Sequence, residues 1–243
     1  MTEGATMRRP DHSASAAPER PAPARASAAR TKSASGPVPP GAPRRRHSGE
    51  ERRREIVAAV LALAREQGPD AITTQAIADR IGVTQGAIFR HFPDKASIWL
   101  AVFAWVRESL GAVLEAALRK GASPLARIEQ AFLGHVDFVA TNPGVPRVLF
   151  HELQYPGDSP VRSEVRAMVS GYRAALARLF AEAKAAGELP ARLDAATATL
   201  LFIGAIQGLV VQSSLAGDEA SMARHARKVF ALMRDAYLGR TTP

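Results

Sequence analysis

The sequence contains no cysteine among its 243 residues. Disulfide bonds, thiolate metal sites and cysteine nucleophiles are therefore excluded. Long hydrophobic runs are also missing, because the longest one, residues 198–211, is interrupted by Thr199 and Gln207 and is too short to span a bilayer. Arg8 and Arg9 are not followed by the apolar stretch of a secretory signal. We expect a cytoplasmic protein with no membrane partner.

Acidic residues are scarce near the N-terminus. Residues 1–48 carry nine Lys/Arg and three Asp/Glu, which gives +6 of the chain's total charge of +9. Residues 1–47 are rich in Ala, Pro and Ser, have little apolar surface to bury, and are predicted to form a disordered basic tail. A solvated tail is the favoured interpretation of residues 1–43. For residues 44–46, an arm that holds DNA non-specifically is an equal alternative.

Strand patterns are absent from Ser48 onwards, since no segment alternates apolar and polar residues. Segments with helical apolar spacing follow one another instead, separated by Gly and Pro stops. The first begins at a capping box from Ser48 to Glu51, the third ends near His91, and the sixth covers about residues 146–154. We predict an all-α protein of nine helices. Further N-caps are expected at Thr73, Thr84, Asp94, Ser123, Ser159, Asp194 and Asp218.

The second and third predicted helices are short and are separated only by Gly82, Val83 and Thr84. Two short helices joined by a tight turn that contains glycine are typical of a helix-turn-helix. Ala78 is small enough to let the two helices cross closely. Many purely structural helix pairs share this pattern, so the pattern alone leaves both interpretations open.

The third predicted helix carries a set of polar and small residues, Gln85, Gly86, Ala87 and Arg90. In the DNA major groove, arginine pairs with guanine and glutamine with adenine. Small residues permit close approach to the groove wall and to thymine methyl groups. This set indicates double-stranded DNA as a partner.

Residues 72–95, ITTQAIADRIGVTQGAIFRHFPDK, closely resemble the DNA-binding domain of the tetracycline-repressor (TetR) family of bacterial transcriptional regulators. The resemblance covers about residues 54–100. It implies a homodimer with nine helices per chain, in which the first three bind DNA and the others bind a small effector and the partner chain. We therefore expect an N-terminal three-helix domain with a helix-turn-helix at residues 48–93. A C-terminal helical domain for effector binding and dimerisation is expected at residues 94–243.

The resemblance also implies which residues contact DNA. Thr73 and Thr74 begin the second helix and are expected to contact phosphate. N-capping is the alternative interpretation, and one of the two must cap the helix in either case. Phe89 stands where the family usually has tyrosine, so a phosphate hydrogen bond is lost there and simple packing is the alternative. His91 either contacts phosphate or braces the turn that follows, and Lys95 matches a phosphate-contacting lysine. The expected contacts are Thr73, Thr74, Thr84, Gln85, Gly86, Ala87, Phe89, Arg90, His91 and Lys95.

Residues 49–100 carry no net charge, because seven basic residues balance seven acidic ones. Affinity for DNA must then come from how the charges are distributed. Arg52, Arg53 and Arg54 in the first predicted helix are further candidates for contact with the DNA backbone or minor groove, and Arg52 and Arg54 complete the expected set of DNA contacts. A solvated helix face is the competing interpretation.

The eighth predicted helix is apolar nearly all round, which requires burial on several sides. Gly204 and Gly208 leave one of its faces bare, so another helix can approach closely. The resemblance implies that the eighth and ninth helices pair with those of a second chain, whereas an internal core helix is the alternative. The expected interface residues are Leu201, Gly204, Ala205, Gly208, Phe230, Met233 and Tyr237.

Bulky apolar residues are frequent in the fourth to eighth predicted helices and are candidates for lining an effector cavity. The candidates are Phe103, Phe132, Val136, Phe150, Met168, Tyr172 and Phe202. His135, Asp137, His151 and Glu152 are the polar residues expected nearby. His151 and Glu152 lack the second histidine of a zinc-protease helix, and we expect neither a metal nor a cofactor.

Catalytic motifs are also missing, since the sequence has no phosphate loop, nucleophile elbow or paired metal-ligand motif. We expect a sequence-specific regulator rather than an enzyme, namely a repressor released from a palindromic operator by a small, mostly apolar effector. An activator of the same family and a non-specific architectural DNA-binding protein are the alternatives.

Overall fold

The computed structural model describes residues 48–154 and 157–240, and within these ranges the chain forms nine α helices and no strand. This confirms the all-α prediction and its helix count. The predicted tail at residues 1–47 lies outside the described residues, apart from its boundary at Ser48. The helices are α1 Gly49–Glu66, α2 Thr74–Ile81, α3 Gln85–Phe89, α4 Lys95–Lys120, α5 Pro124–Thr141, α6 Gly144–Gln154, α7 Pro160–Ala185, α8 Ala195–Ala216 and α9 Ser221–Leu238.

Side-chain caps set most of the helix starts. Ser48 forms the expected capping box with Glu51, and Asp94 forms a second box with Ser97. A cap oxygen satisfies a backbone N–H that has no partner inside the helix, which fixes the first turn. The other confirmed N-caps are Thr73, Thr84, Ser123, Ser159 and Asp194.

One predicted N-cap was wrong, and two approximate helix limits differ from the observed ones by two residues. Asp218 does not cap α9, because its carboxylate pairs with Arg224 and α9 begins after Ala220 with no side-chain cap. The sixth helix begins at Gly144, two residues early, and the third ends at Phe89 rather than near His91. Beyond Phe89 the chain turns towards α4. Phe92 lies in this turn and is buried.

Two hydrophobic clusters hold the described residues together. The first joins α1, α2 and α3 to the N-terminal half of α4, to α6 and to the start of α7. The second is built by α5, α7, α8 and α9. The predicted boundary between residues 93 and 94 therefore lies inside a shared cluster: Val145 and Val165 pack in the same core as Ile56.

Two helices, α4 and α8, are long and apolar enough to cross a membrane by length and composition alone. The 22-residue α8 is longer than the apolar run on which the sequence-based expectation rested. A core helix of a soluble protein meets the same criterion, and here α4 packs against α5 and α7 while α8 packs against α7 and α9.

Candidate functional site

The helix-turn-helix is formed by α2 and α3. Gly82 between them has φ +67° and ψ +40°, a left-handed conformation that glycine adopts without steric cost. Ala78 and Ile88 are fully buried where the helices meet, which fixes their crossing. On the outer side, Arg80 of α2 pairs with Glu66 of α1, and this hydrogen bond lowers the pKa of the Glu66 carboxyl.

The two threonines at the start of α2 have different roles. Thr73 is the N-cap, and its hydroxyl accepts a 3.0 Å hydrogen bond from the Ala76 N–H. The Thr74 hydroxyl accepts a 2.7 Å hydrogen bond from the Gln85 side chain. This bond connects the N-termini of α2 and α3, so it holds Gln85 at the start of the third helix.

The outer face of α3 is presented to solvent. Gln85, Gly86 and Arg90 are exposed, and Ala87 is half-buried. Thr84 is exposed and caps α3 by accepting from the Ala87 N–H at 3.3 Å. Phe89 is 44% exposed, so packing against the other described residues does not account for it. Such a face, small and polar with one aromatic ring, suits the major groove.

The arginines of α1 do not behave alike. Arg52 pairs with Glu55 and Arg54 pairs with Glu50, both within α1, so part of their charge is already neutralised.

Arg53 reaches across to the end of the helix-turn-helix instead. Its Nη1 donates a 2.6 Å hydrogen bond to the His91 carbonyl, and its guanidinium lies 4.2 Å from the centre of the Phe92 ring. All three arginines were candidates for DNA contact, but the contact that Arg53 makes within the chain was not predicted. Arg53 lies one turn before the buried Ile56, at the edge of the apolar stripe, and this spacing was the available clue.

His91 and Lys95 flank the turn into α4. His91 is half-buried, and its carbonyl is held by Arg53. Lys95 is exposed at the first residue of α4, beside the Asp94 cap. An exposed cation at a helix N-terminus opposes the helix dipole, which argues for a role other than stabilising the helix.

A cavity of about 100 Å³ lies between α4, α5, α6, α7 and α8. Three predicted lining residues, Phe150, Met168 and Tyr172, do line it. The other four do not, because Phe103, Phe132, Val136 and Phe202 are buried in the two hydrophobic clusters. Aliphatic residues outside the predicted lining set complete the wall, among them Val106, Leu110, Leu149, Ile203 and Ile206. Val106 and Leu110 lie one helical turn apart on α4. This spacing places both on the face of α4 that points inward, and it was the available clue to their position.

The cavity wall carries one hydrogen-bonded polar pair, and Gln207 of α8 also lines it. His135 Nδ1 lies 2.9 Å from the Tyr172 hydroxyl, and both residues line the cavity. Burial lowers the pKa of His135 to about 4 and raises the pKa of Tyr172. Both groups are therefore neutral at pH 7.

The other polar residues expected near the cavity lie elsewhere. Asp137 is exposed, His151 faces Asp70 at 3.4 Å, and Glu152 accepts a hydrogen bond from Ser159. Within the described residues, no three His, Asp or Glu side chains are grouped as metal ligands.

Helix α6 connects the cavity to α1. Pro146 and Leu149 line the cavity, while Arg147 Nη1 donates hydrogen bonds to the carbonyls of Ala64 and Arg65 at the C-terminal end of α1. At Gly144, an added Cβ would collide with the Leu61 carbonyl, so the two helices approach as closely as glycine allows. Helix α6 is therefore in direct contact with both the cavity and α1.

The surface of α8 carries an apolar face that the other described residues leave uncovered. Leu200, Leu201, Val211 and Leu215 are exposed, Leu215 to 78%. Gly204 and Gly208 are exposed among them, with no atom within 4 Å of a Cβ placed on either, and Ala205 is half-buried.

The predicted interface residues of α9 were wrong. Phe230, Met233 and Tyr237 are buried in the second hydrophobic cluster, where the Phe230 ring packs at a tilt against Phe132 and the Tyr237 hydroxyl donates to the Ala198 carbonyl. The apolar stripe of α9 faces inward because it covers α5 and α8, so these side chains are not available to a second chain.

Two family descriptions match the sequence. Residues 56–102 match "Bacterial regulatory proteins, tetR family", and residues 156–229 match "Tetracyclin repressor-like, C-terminal domain". The first match contains the helix-turn-helix, and the second contains α7, α8 and the first half of α9.

Curated relatives include the nucleoid occlusion factor SlmA of Haemophilus ducreyi, which is 30% identical over 103 residues, 42% of this chain and 51% of the relative. SlmA of Shewanella pealeana is 27% identical over 161 residues, 66% of this chain and 82% of the relative. The chain spans about half the length of most of the curated relatives it matches.

Solved structures share the fold. FadR from Bacillus subtilis in complex with stearoyl-CoA is 19% identical with a TM-score of 0.64, covering 78% of this chain and 99% of FadR. A transcriptional regulator of the TetR/AcrR family from Thermobifida fusca is 26% identical with a TM-score of 0.59, covering 77% and 98%. The ketosteroid regulator KstR2 of Mycobacterium tuberculosis is 19% identical with a TM-score of 0.61, covering 76% and 94%.

Proposed function

Because this chain belongs to the TetR family of bacterial transcriptional regulators, we propose that it is a repressor that a small, mostly apolar effector releases from a two-fold symmetric DNA operator. The observation that carries the release mechanism is the position of α6, which lines the cavity and is hydrogen-bonded to α1. The expectation of repression rather than activation comes from the family.

In this proposal the exposed face of α3 enters the major groove. Gln85 and Arg90 read base edges, while Gly86, Ala87 and Phe89 approach the groove wall and thymine methyl groups. Thr73, Thr74 and Thr84 lie at helix starts, where hydroxyls reach phosphates without sequence preference. His91 and Lys95 extend these phosphate contacts, with exposed Lys95 the stronger candidate of the two. Arg52 and Arg54 contribute only if DNA displaces their glutamate partners.

The proposed dimer is formed through the exposed face of α8, with Leu201, Gly204, Ala205 and Gly208 at the contact. Apolar residues on an uncovered face favour burial against a second chain, and the glycines allow helices to pack closely. A two-fold axis then presents two copies of α3. Their half-sites should lie about 34–36 Å apart, or a multiple of that distance.

Release depends on two states of the dimer. The two states differ in the separation of the two α3 helices. An effector shifts the equilibrium between them only by the difference in its affinity for the two states. Typical coupling of about 1–3 kcal/mol would weaken operator binding about 5–150-fold. The stearoyl-CoA in the Bacillus subtilis FadR structure and the ketosteroid role in the name of KstR2 support an effector with a largely apolar body.

Selection of binding sites from random double-stranded DNA, followed by footprinting, tests the DNA-binding part. We expect an inverted repeat with protection on both half-sites. Gln85→Ala or Arg90→Ala should cost about 1–3 kcal/mol and relax preference at one base position. Lys95→Ala should weaken all sequences alike and flatten the salt dependence. Selected sites without dyad symmetry would contradict the proposal.

A non-specific architectural role is the second candidate, and the similarity to SlmA nucleoid occlusion factors is the observation that favours it. Chromatin immunoprecipitation separates the two, because a repressor occupies few sites beside regulated genes and an architectural protein occupies the chromosome broadly. Either role places the protein in the cytoplasm with the nucleoid, and neither requires catalysis.

A further inference from the structure

The cavity between α4 and α8 has a size that restricts its ligand. Its volume is about 100 Å³. An apolar cavity of about 150 Å³ holds benzene, and sites for drug-sized molecules are roughly 300–1,000 Å³. The enclosed space is therefore no larger than a site for one six-membered ring, and a long acyl chain would need the surrounding helices to move apart or would extend out of the cavity.

The charge of the wall restricts the ligand further. None of the described residues that line the cavity is Asp, Glu, Lys or Arg. Since His135 has a pKa lowered to about 4, it does not supply a cation at neutral pH either. A carboxylate or an ammonium placed here would be buried without a counter-charge, which is strongly unfavourable.

The polar pair on the wall supplies hydrogen bonds to a neutral group. His135 and Tyr172 share one hydrogen bond, which uses one donor and one acceptor of the pair. If Tyr172 donates, the other imidazole nitrogen carries a proton to give. If His135 donates, the Tyr172 hydroxyl has its proton to give. In both tautomers the pair keeps one donor and one acceptor for a ligand.

We propose that the effector is a neutral molecule about the size of one six-membered ring, with a single hydroxyl or carbonyl oxygen that hydrogen-bonds to the His135–Tyr172 pair. The apolar body of the ligand packs against Val106, Leu149, Met168 and Ile206, and the oxygen points to α5 and α7, the helices that carry the pair. This inference rests on the proposed function, because it names the chemical class of the effector.

Phenol, toluene and benzoate are matched probes, each with one ring and one substituent. Titration of the full chain with each, followed by calorimetry or ligand-observed NMR, measures affinity directly. We expect saturable phenol binding and benzoate binding at least about 10-fold weaker. Tyr172→Phe should weaken phenol by about 2–10-fold, the effect of one lost hydrogen bond, without weakening toluene.

Tyr237→Phe is the matched control, because Tyr237 is another buried tyrosine but does not line the cavity. It should leave all three affinities unchanged. Far-UV circular dichroism of each variant checks the fold, and His135→Gln gives a second test of the same pair. Benzoate binding as tightly as phenol, absence of phenol binding, or equal effects of Tyr172→Phe on phenol and toluene would each overturn the inference.

Operator titrations with the same probes keep the two proposals apart. If phenol binds in a Tyr172-dependent way but operator affinity is unchanged, the inference about the cavity stands and the release mechanism fails. If benzoate binds and weakens operator binding while phenol does not bind, the proposed release by an effector stands and the inference about the effector's chemistry is wrong.

Discussion

The Arg53 guanidinium in α1 donates a 2.6 Å hydrogen bond to the His91 carbonyl, directly beyond the helix that is proposed to read DNA. It also lies over the ring of Phe92, which is fully buried. One side chain thus connects the first helix to the end of α3 and to the start of the turn into α4. The contact makes Arg53 a positioning residue for α3.

Arg53→Ala should lower the free energy of unfolding by about 1 kcal/mol, since one hydrogen bond and one cation–π contact are lost. Operator affinity should fall, but its salt dependence should not change, because no phosphate contact is removed. Arg119→Ala is the matched control, because Arg119 lies in α4 outside the proposed DNA contacts and pairs with exposed Glu115. Chemical denaturation and operator titration at several salt concentrations measure both effects. A salt slope reduced by about one in Arg53→Ala would indicate a phosphate contact instead.

Gly208→Leu should weaken the dimer without harming the single chain. No atom lies within 4 Å of a Cβ at Gly208, so the fold has room for the side chain, and leucine favours a helix more than glycine does. Overpacking between two α8 helices costs typically about 1–3 kcal/mol. Analytical ultracentrifugation over a concentration range should show a raised dimer dissociation constant.

The control for this dimer test is Gly171→Leu on α7, where a Cβ likewise meets no atom within 4 Å. It should leave the oligomeric state as in the unmodified chain. A Gly208→Leu protein that remains a dimer of unchanged affinity would place the interface elsewhere.

Gly144→Ala should disturb the docking of α6 on α1. Its Cβ would meet the Leu61 backbone, which cannot move aside as a flexible side chain can. We expect a loss of about 1–3 kcal/mol in the free energy of unfolding, together with a changed operator affinity. Gly111→Ala in α4, with open space around its Cβ, is the control. Unchanged stability and unchanged operator binding in Gly144→Ala would show that α6 does not transmit the cavity state to α1.

Acid should destabilise the protein partly through His135. Its pKa is lowered by burial from 6.5 to about 4, so between these values the unfolded chain binds a proton that the folded chain does not. The free energy of unfolding therefore falls as the pH drops from about 6.5 to 4, by up to about 3 kcal/mol from this group. The raised pKa of Tyr172 keeps its phenol protonated throughout.

His135→Gln should accordingly show a shallower loss of stability over that pH range, measured by urea denaturation at fixed steps of pH. Above pH 7 the two proteins should show the same pH dependence. Parallel curves for the two proteins between pH 6.5 and 4 would show that His135 titrates alike in the folded and unfolded chain.

The helix order and the helix-turn-helix could be predicted from the sequence because they depend on neighbours in the chain. A hydroxyl or carboxylate at Thr73 or Asp94 caps the helix that follows it, and Gly82 permits the left-handed turn, whatever lies further away. The same local logic identified the exposed face of α3. It did not identify the partner of Arg53 within the chain, which lies 38 residues away.

The cavity and the uncovered face were decided only by tertiary structure, because an apolar residue can be buried in a core, on a cavity wall or at an interface. Periodicity identified Phe202, Tyr237 and Leu201 as apolar alike. The packing of α8 against α5, α7 and α9 buries Phe202, encloses Tyr237 and leaves Leu201 exposed. The sequence by itself determined an all-helical protein with a helix-turn-helix at one end. Which apolar side chains meet one another, and which remain free to meet a ligand or a second chain, depends on how the helices pack.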